Sequence, residues 1–109
     1  MTANAPQRCD LVLVHGMWGG AWQWEGYRRR LAARGHRIQV PDLRHHDAAA
    51  AADPPPRLGT VSLRDYVDDL DALIAGLPTP PVVIGHSLGG LLAQLLAARG
   101  RVAGAVLLT

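Results

Sequence analysis

The sequence of 109 residues holds one cysteine, two serines, no phenylalanine and no lysine, so all eleven of its basic residues are arginines. A single cysteine, Cys9, excludes an intrachain disulfide and agrees with a reducing, cytoplasmic compartment as the expected location. Without lysine, and with the wrong spacing between Gly16 and Gly20, the glycine-rich stretch is not a phosphate-cradling loop. No cofactor is expected. The arginines are scattered apart from Arg28-Arg29-Arg30, and the formal charge is only +2, which excludes a nucleic-acid-binding stripe. The triplet reads as the wet face of a helix. Met1 to Asp10 has no basic start followed by an apolar core, so no export signal is visible. The uncharged run from Ala72 to Ala98 is interrupted by Pro78, Pro80, Pro81 and four glycines. It reads as buried soluble structure, with no membrane partner.

What is present alternates. Leu11–Val14 is a short aliphatic run ending at His15-Gly16, the pattern of a strand buried on both faces of a parallel sheet. Trp24 to Arg34 predicts a helix with Tyr27, Leu31 and nearby alanines sharing a face, and Gly35 stands where a left-handed cap belongs. His36–Val40 reads as a second strand stopped by Pro41. Leu43 to Val61, with five alanines running into Pro54-Pro55-Pro56, reads as a loop. Ser62 then opens a helix in the spacing Ser-x-x-Asp, followed by Leu63, Tyr66, Val67, Leu70, Leu73 and Ile74 at helical intervals. The same period puts Asp65, Asp68, Asp69 and Asp71 on its solvated side, so they are not read as a metal cluster. Pro81–Ile84 is a third strand, Gly89–Arg99 a nearly all-apolar helix and Val102–Leu108 a fourth strand. The expected fold class is therefore α/β, a parallel sheet with right-handed crossovers and helices on both faces.

Gly85-His86-Ser87-Leu88-Gly89 falls between the third strand and the helix after it, the context in which Gly-x-Ser-x-Gly acquires meaning. A strand turning abruptly into a helix holds its apex residue in a strained backbone conformation, and the residues two positions away must lack side chains. Ser87 is thereby placed as a nucleophile above the carboxyl edge of the sheet. The amide of Leu88, at the start of a helix, is placed to receive the oxyanion formed when Ser87 adds to a carbonyl. A second donor belongs to the loop after the first strand, where Met17 is the candidate. That loop, HGMWGGAWQW, also admits the reading of an ordinary glycine-rich turn with buried tryptophans; the serine turn downstream favours the oxyanion loop. Trp18 and Leu88 are candidates for the near wall of a substrate pocket.

The segments VHGMWGGAWQW (Val14 to Trp24), VPDL (Val40 to Leu43) and VVIGHSLGG (Val82 to Gly90) together resemble the α/β-hydrolase superfamily. HGxxxGAWxW is most similar to the branch of plant methyl esterases and hydroxynitrile lyases, and to bacterial carboxylesterases. The resemblance covers nearly the whole chain. It implies a serine hydrolase acting on a small-molecule carboxylic ester, without metal or cofactor.

One departure from that pattern stands out. A serine hydroxyl needs a histidine to take its proton and an acid to hold that histidine, in the order Ser, Asp or Glu, His. From Leu88 to Thr109 there is no Asp, Glu or His. His15 lies in the oxyanion loop, His86 points away beside Ser87, and His36 opens a strand. His45, His46 and Asp47 form the only local cluster, weighed as a metal site or a substitute dyad and set aside. Asp42 reads as structural, since the PDL segment of the resembled family is. The expectation is that residues 1–109 form the N-terminal part of a single α/β-hydrolase domain, an incomplete core of about four strands and three helices, with the lid and the C-terminal half absent. Its final strand would then expose an apolar edge through which the chain self-associates. Two other functions remain open: a hydroxynitrile lyase-like enzyme using Ser87 in proton transfer, and a non-catalytic ligand-binding module.

Overall fold

A computed structural model describes residues 8–47 and 59–108. Four strands, β1 (Asp10–Val14), β2 (Arg37–Gln39), β3 (Val82–His86) and β4 (Gly104–Leu108), form one parallel sheet in the order β2-β1-β3-β4. Every residue of β1 is buried, because a central strand between parallel neighbours meets protein on both sides. Its first residue is charged and is matched accordingly. The Asp10 carboxylate pairs with Arg37 of β2 at 2.9 Å and accepts the Thr79 hydroxyl at 2.5 Å ahead of β3, tying three strands at their amino ends.

Among the described residues three helices connect the strands: α1 (Glu25–Ala33), entered through a 3-10 turn at Ala21–Trp24, α2 (Leu63–Ala75) and α3 (Leu88–Ala98). The start of α2 is fixed as the Ser-x-x-Asp spacing requires. The Ser62 hydroxyl accepts the Asp65 N–H at 3.1 Å while the Asp65 carboxylate accepts the Ser62 N–H at 2.9 Å. Tyr66, Val67, Leu70 and Ile74 then fall on one face and pack with Val12, Val14, Val83, Leu92, Ala93 and Leu96 into a continuous core. Each large apolar side chain buried there stabilises the fold by roughly 1.5–3 kcal/mol, so this face of the sheet holds most of the stability. The acidic side of α2 is ion-paired: Arg44 meets Asp69 at 2.7 Å, Arg99 meets Asp68 at 2.8 Å, and Asp71 lies between Arg99 and Arg101. Such exposed pairs add little stability. Among the described residues no helix is long and apolar enough to cross a membrane.

Helix α1 departs from expectation. No residue of Glu25–Ala33 is buried, and Tyr27 is 53% exposed, so the face expected to pack inward does not. Its apolar side is thin, and among the described elements it touches only the 3-10 turn and β2. The turn supplies the anchor instead, with Trp24 buried and its ring 5.3 Å from that of Tyr27. Gly35, at φ +90°, ends the helix as expected. Strand limits also shift: β2 stops at Gln39 rather than Val40, β3 continues to His86, and β4 begins at Gly104 rather than Val102. The alanine and proline run of residues 48–58 lies outside the described residues.

Candidate active site

The strand order creates a specific place for a site. From β1 the chain leaves through α1 to β2 on one side, and from β3 it leaves through α3 to β4 on the other. The carboxyl ends of β1 and β3, paired from Leu11↔Val82 to Val14↔Gly85, therefore flank a crevice that opposite-going connections leave open. His15-Gly16 and His86-Ser87 sit at its two rims.

Ser87 is the single residue between β3 and α3, at φ 55° and ψ −116°. That conformation is strained for a residue with a side chain and costs of order 1–3 kcal/mol. The turn is close enough to forbid side chains at both flanks. A Cβ on Gly85 would overlap the Gly89 carbonyl, and one on Gly89 would overlap the Val14 carbonyl. Ser87 is exposed, its hydroxyl makes no capping bond, and its carbonyl accepts Gly90 N–H at 2.9 Å and Leu91 N–H at 3.2 Å to start the helix. The Leu88 N–H is the first of α3, a position without an i−4 acceptor inside the helix.

The loop after β1 lies directly against this turn. A Cβ on Gly16 would stand 3.4 Å from Ser87 Cβ and 3.4 Å from the His86 carbonyl, which is van der Waals contact between the two turns. Gly16 carbonyl accepts Gly19 N–H at 3.1 Å, curling the loop, and Asp42 accepts Ala21 N–H at 2.8 Å, holding its far end to the segment after β2. Asp42 is thus a structural brace, with the Ala21 N–H as its partner. His15 is fully buried, with Nδ1 2.6 Å from the Gly16 carbonyl and Nε2 3.0 Å from Leu43 N. Burial pushes its pKa below the ordinary 6.5, with the neighbouring His46 acting in the same direction and the Gly16 carbonyl and Asp42 opposing.

Ser87 and Leu88 thus stand at the end of β3 and the start of α3, and the half-buried Met17 follows Gly16 in the loop that packs against Ser87. Trp18, in the same loop, stands 83% exposed. An open cavity of about 450 Å³ beside Ser87 is lined by Gly90, Leu91, Gln94, Leu107 and Leu108, with neither Trp18 nor Leu88 in its wall. Leu88 packs its side chain on the core instead, since the helix turns that face inward. His46 also points inward, its ring 5.2 Å from His15 and 5.8 Å from Tyr66 and its Nδ1 donating to the Arg44 carbonyl at 2.9 Å. Among the described residues no three His, Cys, Asp or Glu side chains are grouped as a metal site needs, which leaves His45, His46 and Asp47 unconverged.

Comparison with known proteins agrees with this architecture. Residues 11–109 match the model of the alpha/beta hydrolase family. The chain is 38% identical over 92 residues to polyneuridine aldehyde esterase of Rauvolfia serpentina, a match covering 82% of this chain and 33% of that protein. It is 39% identical over 84 residues to methylesterase 3 of Arabidopsis thaliana, covering 74% and 30%. The crystal structure of a pyrethroid hydrolase from Sphingobium faniae superposes with a TM-score of 0.76 at 27% identity, over 93% of this chain and 39% of that one. The chain spans about a third of the length of the curated relatives it matches.

Proposed function

The chain belongs to the alpha/beta hydrolase family, and on that premise we propose that it carries the nucleophile and oxyanion hole of a serine hydrolase acting on small carboxylic esters. The observation that carries the reading is the strained backbone of Ser87 at the crevice between β1 and β3, with a glycine loop packed against it. Strain at one exposed serine, in a chain with only two, is a cost without a structural return.

In this reading Ser87 Oγ adds to the ester carbonyl carbon, and the carbonyl oxygen becomes an oxyanion facing the N–H groups of Leu88 and Met17. Both donors are fixed before reaction, Leu88 by the first turn of α3 and Met17 by the curled loop, so no reorganisation is spent when charge develops. Removing one such donor costs about 3 kcal/mol of transition-state stabilisation. The alcohol leaves on collapse of the adduct, and water releases the acyl group in a second addition. The names of the curated relatives, an aldehyde esterase and a methylesterase, point to a methyl or similarly small alkyl ester. No observation here favours the lyase or the ligand-binding alternative.

Proton transfer from Ser87 needs a base. No Asp, Glu or His follows Leu88 in this sequence, and we assign the histidine and its acid to residues outside these 109. The 109-residue chain should accordingly turn over p-nitrophenyl esters negligibly. Hydrolysis at ordinary serine-esterase rates, abolished by Ser87→Ala, would place the base within the chain. The nucleophile itself is tested by incubating the chain with a fluorophosphonate at alkaline pH and locating the adduct by mass spectrometry. The adduct is expected on Ser87 and absent from Ser87→Ala; labelling that ignores Ser87 refutes the assignment.

A further inference from the structure

His15 holds two loops with one ring. Its Nδ1 lies 2.6 Å from the Gly16 carbonyl oxygen, which can only accept, so Nδ1 carries the proton. Nε2 is then a bare lone pair, and it accepts the Leu43 N–H at 3.0 Å. Both bonds are buried, and His15 itself is 0% exposed. The Gly16 carbonyl is further held by Gly19 N–H at 3.1 Å. With that carbonyl fixed by two donors, planarity of the trans Gly16–Met17 peptide fixes the Met17 N–H in the opposite direction. The same peptide stands beside Ser87, as the 3.4 Å approach of a Gly16 Cβ to Ser87 Cβ shows.

We infer that His15 is a positioning residue: its neutral, Nδ1-protonated ring sets the direction of the Met17 N–H and latches the loop after β1 to the segment after β2. The inference rests on the reading of Met17 as an oxyanion donor for its functional meaning, but the latch itself is a statement about this chain alone. Protonation breaks it by simple geometry. A proton on Nε2 faces the Leu43 N–H, donor against donor, and the bond cannot form. The groups facing the ring set how readily this happens. His46, with its ring centroid at 5.2 Å, opposes a second positive charge, and Tyr66 of α2 packs on the far side of His46. Among the described residues Asp42 is the carboxylate acting on His15, and it is already engaged by the Ala21 N–H. His86 lies across Gly16, its Nδ1 3.5 Å from where a Gly16 Cβ would stand. Burial is the largest influence and keeps the ring neutral below the ordinary value of 6.5.

The experiment is nitrogen-15 NMR and amide hydrogen exchange on the full 109-residue chain. In the unaltered protein His15 should show the Nδ1–H tautomer and remain neutral as pH falls through 6.5. The Leu43 amide should be protected until the ring protonates. His15→Asn keeps a donor near the Nδ1 position and loses the acceptor, so the Leu43 amide should exchange about tenfold faster, the scale of one lost buried hydrogen bond. His15→Gln sets an acceptor near the Nε2 position and loses the donor, so Leu43 should stay protected while the Met17 amide resonance moves. An Nε2–H tautomer, titration at the ordinary value, or a Leu43 amide indifferent to both variants overturns the latch. Should either variant fail to fold, the tautomer and titration of the unaltered chain still decide. None of these readouts needs a substrate. The oxyanion reading fails separately if Met17→Pro, which deletes the N–H, leaves the rate of phosphonate labelling at Ser87 unchanged while the His15 signature persists.

Discussion

Gly89, in the first turn of α3, lies so close to Val14 at the end of β1 that a side-chain carbon on the glycine would overlap the Val14 carbonyl. The contact joins the helix after Ser87 to the central strand through backbone alone. Gly89→Ala must push the helix off β1, and overpacking of this kind costs 1–3 kcal/mol or more. Gly85→Ala should do the same against the Gly89 carbonyl. Gly76→Ala is the control, because a Cβ there comes no nearer than 3.5 Å to the Leu73 carbonyl. Urea unfolding should show a large loss for the first two and little change for the third.

Ser87 itself should respond in the opposite sense. Its φ of 55° costs any residue with a Cβ, and only glycine escapes. Ser87→Gly should therefore stabilise the chain by about 1 kcal/mol, the strain relieved less the entropy that glycine adds to the unfolded state. Ser87→Ala should leave stability nearly unchanged, since the hydroxyl caps nothing. Equal stability of the glycine and alanine variants in thermal unfolding would show that the turn stores no strain.

Asp42 braces the glycine loop by accepting the Ala21 N–H at 2.8 Å. The bond is exposed, so its loss in Asp42→Ala should cost only about 1 kcal/mol globally. The local effect should be larger. The Ala21 and Gln23 amides, at the start of the 3-10 turn, should lose exchange protection while those of α2 keep it. Uniform loss across both regions would mean that Asp42 supports the whole fold rather than the loop.

These cases also show which parts of the molecule local sequence could reveal. Strands β1, β3 and β4 are short, mostly aliphatic runs, β2 (Arg-Ile-Gln) is marked mainly by Pro41 after it, and α2 is marked by its cap at Ser62 and its apolar period. These are signals that neighbouring residues create among themselves. The serine turn was legible for the same reason at Gly85, whose clash with the Gly89 carbonyl lies within one five-residue stretch, whereas the contact that keeps Gly89 bare is with the Val14 carbonyl of β1. The partners of His15 and Asp42 were not legible, since Leu43 and Ala21 come from other loops brought near only by the β1–β2 pairing. Helix α1 misled for a related reason. Tyr27 and Leu31 share a side, but whether that side is covered depends on what packs against it, and among the described elements only β2 and the turn do.

Acid should weaken the fold through Asp10. The Thr79 hydroxyl and Arg37 hold its carboxyl below the ordinary 3.8, against an opposing contribution from burial. The unfolded chain thus binds the proton more readily than the folded one, and stability is fully present above pH 3.8 and falls as pH drops through the lower folded value. Asp10→Asn cannot pair with Arg37, so it should be less stable at neutral pH and should show a shallower loss between pH 5 and 2. Parallel acid-unfolding curves for the two proteins would remove Asp10 from the account.

Strand β4 pairs with β3 alone among the described residues, and its other edge carries a row of backbone donors and acceptors with no charged or proline residue to protect them. Successive side chains of a strand point to opposite faces, and here both are apolar and exposed, with Val106 at 44% and Leu107 at 46%. Leu91 of α3, 42% exposed, continues the patch beside Leu107 along the cavity next to Ser87. An edge of this kind is a template for a further strand, and in a solution of the 109-residue chain the strand at hand is another copy. The chain should therefore associate in a concentration-dependent way, and Val106→Lys should suppress association by placing a charge that neither a paired edge nor a stacked face accommodates. Light scattering across a concentration series measures it. A monodisperse monomer at all concentrations, or association indifferent to Val106→Lys, would mean that the edge is already satisfied within the chain.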